Sequence, residues 1–400
     1  MWRRSELTYC SNLHPGEQLA EVEENLARYF SRVVARRALS DMASGLWLSA
    51  TAASTLQLPE SLTSFRETLD RQGVVLTSLN GFPYGNFHQR MVKEAVYLPD
   101  WSEPERLKYT CQLAVILASC LPSSVAQGTI STLPLGYRHQ WSEEKQQRSI
   151  EQLLRLNAEL AVLKALEGKH IVVCLEMEPD CVLETTSQLI AFFSALTAAN
   201  GEYPVHLGVC FDVCHQGVMY EDSYDALRRI TEAGITLGKI QISNAFEVDT
   251  DSLRDPVSDV HDLLSEFAEA RYLHQVKARR PDGKVIAVPD LSEALAAMYM
   301  AKSELNDTTS WRVHFHIPLS FSSCLHPAIK PLHDTLNGVF QFLADYQDVV
   351  KPCLEVETYT WDVLPAALQP QDDDALIDGI AGELHWLEQQ LADRGLLRHD

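Results

Sequence analysis

The chain is poor in positive charge. Its 400 residues carry 33 lysines and arginines against 55 aspartates and glutamates, a formal net charge of −22. A field of that sign repels phosphate backbones and anionic headgroups, which argues against nucleic acid as a partner and leaves a small soluble substrate as the better fit. Long apolar runs are lacking as well. The opening MWRRSELTYC turns polar at once, and no uninterrupted apolar stretch approaches the roughly 20 residues that span a bilayer. The expectation is a cytoplasmic protein with no membrane insertion. Paired CxxC motifs of the zinc-ribbon kind are missing. Several of the nine cysteines fall within strand-like core runs, which reads as reduced core thiols rather than a disulfide framework. Short-period repeats, low-complexity tracts and an interdomain linker are also absent, and QPQDDD reads only as a solvated loop. Residues 1–400 therefore read as one domain.

What is present is alternation. Strand-like LTYCSN precedes a helical stretch at about 17–37, GLWLSA precedes one opening near Pro59, and VVLTSLNGF leads to 103–121. VAQGTIS leads to 145–167, HIVVCLEM to 183–199 and GVCFDVC to 222–233. KIQIS leads through an irregular insertion at about 247–289 to DLSEALAAMYMAKSEL; RVHFHIP leads to about 327–348, and CLEVETYTW to a last helix near 374–396. Within the insertion, RRPDG reads as an exposed turn or lid. Strict β/α alternation implies parallel strands with helical crossovers. The best single architecture is an α/β (β/α)8 TIM barrel, with an open doubly wound sheet as the alternative. Nine strand candidates compete for eight places, so an extra β/α unit or strand lies near the C-terminus: either 312–318 or 353–361. Order along the chain favours 312–318 as the eighth strand.

Five of these strands put ligand-type side chains on one face. In VVCLEMEP, Cys174, Glu176 and Glu178 alternate with Val173, Leu175 and Met177. GVCFDVCH sets Cys210, Asp212 and Cys214 on one side, KIQIS sets Gln241 and Ser243, RVHFHIP sets His314 and His316, and CLEVET sets Glu355 and Glu357. A buried parallel strand is ordinarily apolar on both faces, so repeated carboxylates and imidazoles call for a common partner. Barrel active sites lie where the strands end, and Glu176, Asp212, His316 and Glu357 sit there, with His215 three residues past Asp212. Carboxylate oxygens with imidazole nitrogens suit a divalent Mn, Fe, Zn or Co ion better than Ca, which takes oxygens throughout.

Plainer uses compete with each of these roles. Glu176 and Glu178 could be ion-paired with Arg or Lys at the mouth. Asp212 could cap the following segment as well as bind an ion. His314 or His316 could be a core histidine bonded to a carboxylate, and His274 could lie on a surface helix. In LNGFPYGNFH, turn-making accounts for Gly81, Pro83 and Gly85, which leaves Asn80 and His88 for substrate. Tyr359 and Trp361 either stack on a ligand or pack against the last helix.

Taken together these segments resemble a family. LGVCFDVCH is similar to the GVCxDTCH signature of endonuclease IV, and the order of strands and ligands resembles the xylose isomerase-like barrels of sugar isomerases, epimerases and apurinic endonucleases. The closest resemblance is to the EboE family, on LTYCSNLHPGE, LNGFPYGNFH, ISTLPLG, LEMEPDCVLET, LGVCFDVCH, YLHQV, VHFHIPL and CLEVETYTW. The set spans most of the chain; no single piece is specific alone. The resemblance implies metal ligands at Glu176, Asp212, His215, His274 and Glu357, the last in the family's strand-eight ET dipeptide, which favours 353–361 as the closing strand. It also implies departures: Gln241 stands where related enzymes carry a strand-seven histidine, Tyr272 where they carry an aspartate, and Asn80 where they carry a strand-three histidine. One ion fits this set better than three.

The function expected is a metal-binding barrel handling a small polar or phosphorylated metabolite, as an isomerase or epimerase. The metal set is Glu176, Asp212, His215, His274, His316 and Glu357; Glu178 or Glu357 moves a proton between neighbouring carbons. Asn80, His88, Gln241 and His314 contact substrate. The EboE resemblance implies metabolite traffic and contact with a membrane transport system, and with it the rival expectation of a non-catalytic metabolite-binding protein. A metal-dependent phosphoesterase is the third alternative. The sequence leaves oligomeric state open.

Overall fold

The computed structural model describes residues 1–321 and 326–398. Eight strands form one all-parallel sheet: β1 (Thr8–Tyr9), β2 (Met42–Trp47), β3 (Val74–Asn80), β4 (Gln127–Thr132), β5 (His170–Glu176), β6 (Leu207–Asp212), β7 (Leu237–Ile242) and, last in the chain, Cys353–Val356. Between β7 and that last strand the chain builds β8 (Phe246–Asp249), β9 (Val276–Arg279), β10 (Val285–Val288), β11 (Ser310–Val313) and β12 (Ile329–Pro331), so the eighth parallel strand is β13. It pairs with β7 on one side and β1 on the other. A single parallel bridge between Cys10 and Gly45 brings β1 against β2, so the sheet nearly closes as a barrel. Gly45 is required there, because a Cβ at this position would overlap the Glu355 carboxylate inside.

The outward faces of the strands are apolar. Leu175, Val209, Phe211, Ile240, Ile242 and Leu354 are fully buried against the ring of helices. Each such side chain contributes about 1.5–3 kcal/mol by leaving water. The crossover helices start where the sequence supplies caps: Ser142 for Glu143–Glu167, Thr185 with Gln188 for Thr186–Asn200, and Asp222 for Ser223–Glu232. The first two of these helices stop at Gly168 and Gly201, which take the left-handed conformation that favours glycine.

Three expectations need correcting. Of the two candidates for the closing strand, the one favoured by order, RVHFHIP, is not a barrel strand and the one favoured by the motif resemblance, 353–361, is: β11 is antiparallel to β8 and β9, and His314 and His316 lie beyond its end. Apolar–polar alternation is the same for a parallel and an antiparallel strand, so it could not choose between them. The segment 247–289 is not irregular, for it carries most of β8 and all of β9 and β10 of a five-stranded antiparallel sheet with its own core of Phe246, Trp311, Phe315 and Met298. Strands of four residues leave too short a pattern to read. GVCFDVCH leaves the strand at Asp212, after which Val213–Val218 is a helix, so Cys214 sits on a helix rather than on a strand face. The RRPDG turn falls as expected, as the exposed connection of the β9–β10 hairpin. No helix among the described residues is long and apolar enough to cross a membrane.

Candidate metal centre at the barrel mouth

The strand ends deliver the side chains. Asn80 closes β3, Glu176 closes β5, Asp212 closes β6, and Glu357 follows β13 by one residue. Residues two apart on a strand share a face, so Lys239 and Gln241 of β7 and Glu355 and Glu357 of β13 all turn inward. One row down, Lys239 and Glu355 form an ion pair at 3.2 Å, both wholly buried, and the ammonium also reaches the Leu79 carbonyl at 3.3 Å.

Above that pair the balance changes. Ligand oxygens of Glu176, Asp212 and Glu357 lie within 4.8 Å of one another, and similarly tight groups join Asp212 with His215 and His316, and Glu178 with His215 and His314. Glu178, Asp212 and Glu357 are each anchored by one oxygen and open at the other. Glu357 Oε1 accepts from the Asn12 amide at 2.8 Å, and Glu178 Oε1 accepts from the Tyr97 hydroxyl at 2.7 Å. Asp212 Oδ1 accepts from the His215 backbone N–H at 2.9 Å and from the Ser243 hydroxyl at 2.8 Å. Asp212 is thus the helix cap that the plainer reading wanted, with its second oxygen left over.

The histidines follow the same rule. Nδ1 faces the Met177 carbonyl in His215 (2.8 Å), Gln275 Oε1 in His314 (2.6 Å) and the Glu357 carbonyl in His316 (2.8 Å). An acceptor at Nδ1 holds the proton there and presents Nε2 as a bare lone pair. The amide of Gln275 is oriented in turn, since its Nε2 donates to the Tyr97 hydroxyl and the Pro179 carbonyl.

Glu176 Oε2, Glu178 Oε2, Asp212 Oδ2, Glu357 Oε2, His314 Nε2 and His316 Nε2 therefore remain buried without a hydrogen-bond partner. Ionised carboxylates and Nδ1-protonated imidazoles offer only lone pairs at these atoms. A buried acceptor with no partner costs about 1–3 kcal/mol. Six of them converging in one chamber match the needs of a cation, and the mixed oxygen–nitrogen set suits Mn, Fe, Zn or Co. Protonation behaves accordingly. Burial, then Glu357, Asp212 and Glu178, holds the Glu176 carboxyl well above the usual range; burial and then Asp212 do the same to Glu357. Burial lifts Glu178 to about 7. Burial, then His215, presses His314 well below the ordinary imidazole value, and burial sets His316 at about 4.

The chamber opens into a pocket at the barrel mouth. Its polar side is Glu176, Glu178, Glu357, His215, His314 and His316; Phe82, Phe87, Val92, Val96, Tyr272 and Tyr359 make the other side. Tyr359 lies against His316 with ring centroids 4.7 Å apart, whereas Trp361 packs onto the last helix at Gly379 and donates to Glu383.

Of the residues singled out in the sequence, Glu176, Glu178, Asp212, His215, His314, His316 and Glu357 come together. Three do not join them. His274 has both ring nitrogens engaged, with the His314 carbonyl at 2.9 Å and Glu269 at 2.8 Å, so no lone pair is left for an ion. His88 packs beside Trp47 and Phe87 and does not line the pocket. Gln241 is buried beneath the chamber, its carbonyl taking the Cys210 thiol at 3.1 Å. Asn80 does line the pocket, but its amide is occupied by Cys10 and by the Phe82 backbone N–H. Sequence reasoning missed Asn12, Tyr97, Gln275 and the Lys239–Glu355 pair. Asn12 and Gln275 lie inside LTYCSNLHPGE and YLHQV, where a search for side chains that orient ligands would have found them. Tyr97 carries no such signal.

No family model matches the chain, and no curated protein matches it. Solved structures do. A xylose isomerase-like TIM barrel protein from Mycobacterium smegmatis, described in complex with magnesium, is 10% identical with a TM-score of 0.54 over 98% of this chain and 100% of that one. A D-tagatose 3-epimerase-like protein (10% identity, TM-score 0.49, covering 97% and 98%) and the probable 3-DHS dehydratase AsbF of Bacillus anthracis (13%, 0.46, covering 95% and 98%) superpose less closely. The chain has the xylose isomerase-like TIM-barrel fold, with an antiparallel sheet inserted before its last strand.

Proposed function

We propose that the protein is a metal-dependent isomerase or epimerase acting on a small, unphosphorylated hydroxy-carbonyl metabolite. The observation that carries this is the trio Glu176, Asp212 and Glu357, with ligand oxygens within 4.8 Å and one oxygen of each unpartnered. Like charges so placed and so buried call for a cation. Glu176, Asp212 and Glu357 would hold it, with His215, His314 and His316 on its nitrogen side. A divalent ion bound there supplies Lewis acidity toward a carbonyl and its neighbouring hydroxyl.

The chain's own groups do the rest. Glu178 has one oxygen fixed by Tyr97 and one turned to the pocket, and with a value of about 7 it can take a proton from one carbon and return it to the next at neutral pH. Glu357 is the second candidate for that transfer, although its place in the trio suits a ligand better. His88, Gln241 and His274 act at a distance, as packing and orienting groups, and Asn80 lines the pocket with its amide already engaged. The aromatic side, Phe82, Phe87, Tyr272 and Tyr359, excludes water and fits an apolar ring or chain on the substrate. Among the described residues Lys93 is the one cationic side chain lining the pocket, and it is already paired with Asp290 at 2.6 Å. A phosphate group finds no seat, which weighs against sugar phosphates and against phosphoesterase chemistry.

In this reading residues 1–400 work as one unit, because the inserted sheet delivers His314 and His316 to the barrel. The EboE-like motif series supports a place in metabolite traffic, including delivery to a membrane system. Eight cysteines without a disulfide among the described residues support a reducing, cytoplasmic setting. The test is metal analysis of protein purified without chelator, followed by a turnover screen over sugars, polyols and aromatic hydroxy-ketones. Metal-dependent turnover that Glu178→Gln abolishes supports the proposal. Tight binding without turnover makes the protein a carrier, and absence of bound metal ends the reading.

A further inference from the structure

The pocket has two unlike ends. One is made by the carboxylates and imidazoles of the candidate metal centre, and at the other three aromatic rings meet from separate segments of the chain. Phe87 comes from the loop after β3, Tyr272 from the stretch that leads into β9, and Tyr359 from the turn after β13. Ring centroids lie 5.0 Å apart for Phe87 and Tyr272, 5.0 Å for Tyr272 and Tyr359, and 5.8 Å for Phe87 and Tyr359. Tyr359 also lies against His316, so it joins the two ends. The Tyr272 hydroxyl is buried in this cluster without a hydrogen-bond partner. Arg271, whose guanidinium lies 5.6 Å from the centre of that ring and is tied to Asp362, can only donate, so the hydroxyl hydrogen has no acceptor among the described residues.

We propose that this aromatic end selects the substrate: the hydroxy-carbonyl compound carries a flat, unsaturated ring, and an oxygen acceptor on that ring takes the Tyr272 hydroxyl hydrogen. This rests on the proposed function above and adds to it the body of the substrate and the residue that reads it. The fold holds the end ready. The Arg271 carbonyl accepts from the backbone N–H groups of Val92 at 2.8 Å and Lys93 at 3.0 Å, which ties the loop carrying Phe87 to the segment carrying Tyr272. The Tyr272 backbone N–H donates to Glu269 at 2.8 Å. Phe87 and Tyr272 line the pocket yet are only 6% and 4% exposed, so little side-chain freedom is lost when a ring arrives.

Rings gain from one another, in offset or edge-to-face contact, beyond the area they bury. A buried hydroxyl with its hydrogen unused is costly, and a site built around one discriminates against a ligand that leaves it unpaired. An open-chain polyol can answer the hydroxyl but leaves the rings unfilled. A plain hydrocarbon ring fills them and leaves the hydroxyl unused. A ring that bears an oxygen acceptor satisfies both.

The experiment titrates the whole protein, loaded with Mn2+, in a calorimeter. The probes share one hydroxy-ketone group: dihydroxyacetone, α-hydroxyacetophenone, and α-hydroxyacetophenone with a methoxy or an ethyl group at the meta or para position of its ring. Ring-bearing probes should bind at least about tenfold more tightly than dihydroxyacetone. At one ring position the methoxy probe should exceed its ethyl twin, alike in shape, by about fivefold, the worth of one hydrogen bond. Tyr272→Phe should bring the twins level while the ethyl probe and Mn2+ bind as in wild type. Phe87→Leu should weaken the ring-bearing probes and spare dihydroxyacetone. Rings that bind no better than dihydroxyacetone overturn the proposal, as does a methoxy preference that is missing at both positions or that survives in Tyr272→Phe. The same titrations on chelator-treated protein separate the two readings. Ring preference that Phe87→Leu removes, in a protein that takes up no Mn2+, keeps this end and ends the metal centre; one tightly held Mn2+ without ring preference does the reverse.

Discussion

Glu355 and Glu357 stand two residues apart on the same inward face of the closing strand, and their surroundings are opposite. Glu355 meets an ammonium at 3.2 Å and shares a wholly buried ion pair. Glu357 meets Glu176 and Asp212, with one of its oxygens unpartnered. The lower row neutralises itself with groups the chain supplies, and it belongs to the barrel's structure. In the upper row the carboxylates face one another and lone pairs are left without partners at the place where the chamber opens, which fits the cation site proposed above. The difference teaches that burial of a carboxylate says little; its partner decides whether it braces the fold or binds.

Removing the partner in the lower row should have the largest effect. Lys239→Met leaves the Glu355 charge buried and alone, which costs about 3–5 kcal/mol in urea unfolding, and Lys239→Met with Glu355→Leu should recover most of it. A single variant close to wild-type stability would show that Glu355 is not ionised and would dissolve the contrast.

In the upper row the sign reverses. The folded value of Glu178, about 7, lies above its ordinary 4.5. Without an ion, the carboxyl is protonated in both states below pH 4.5 and costs nothing; the metal-free protein then loses stability as pH rises from 4.5 to about 7. Glu178→Gln removes that loss. The variant should gain on wild type across this window by on the order of 3 kcal/mol, and a pH-independent difference would contradict the assignment. Divalent ion should stabilise the wild type by about 2.7 kcal/mol at a hundredfold excess over its dissociation constant, seen as a rise in Tm. Asp212→Ala should abolish that rise, whereas unchanged metal stoichiometry in the variant would leave Asp212 only its capping role. Smallest of the four, Gln275→Leu takes the acceptor from His314 Nδ1 and should weaken ion binding by about 10–100-fold with little change in fold stability.

Much of the chemistry was legible in the sequence because strand periodicity is local. Glu176, Asp212 and Glu357 follow from alternate residues at strand ends, and their convergence follows from the barrel alone. His314 and His316 were legible as ligand types, but the reason given for them was wrong, since they arrive on an inserted antiparallel sheet. His274 shows the limit most clearly. Its resemblance to a ligand position is real in the sequence, yet Glu269, five residues earlier, folds back onto its Nε2. Nothing in a linear pattern distinguishes a histidine with a free lone pair from one already bonded twice.

The sequence by itself determined the parallel barrel and the inward carboxylates, because each rests on near-neighbour periodicity. Only the tertiary structure decided that 353–356 and not 310–313 closes the barrel, that Lys239 answers Glu355 from 116 residues away, and that Gln275 and Asn12 hold the ligands. Those outcomes depend on which side chains meet across the barrel, and a charge or a lone pair acquires its role from the partner brought within about 3 Å of it.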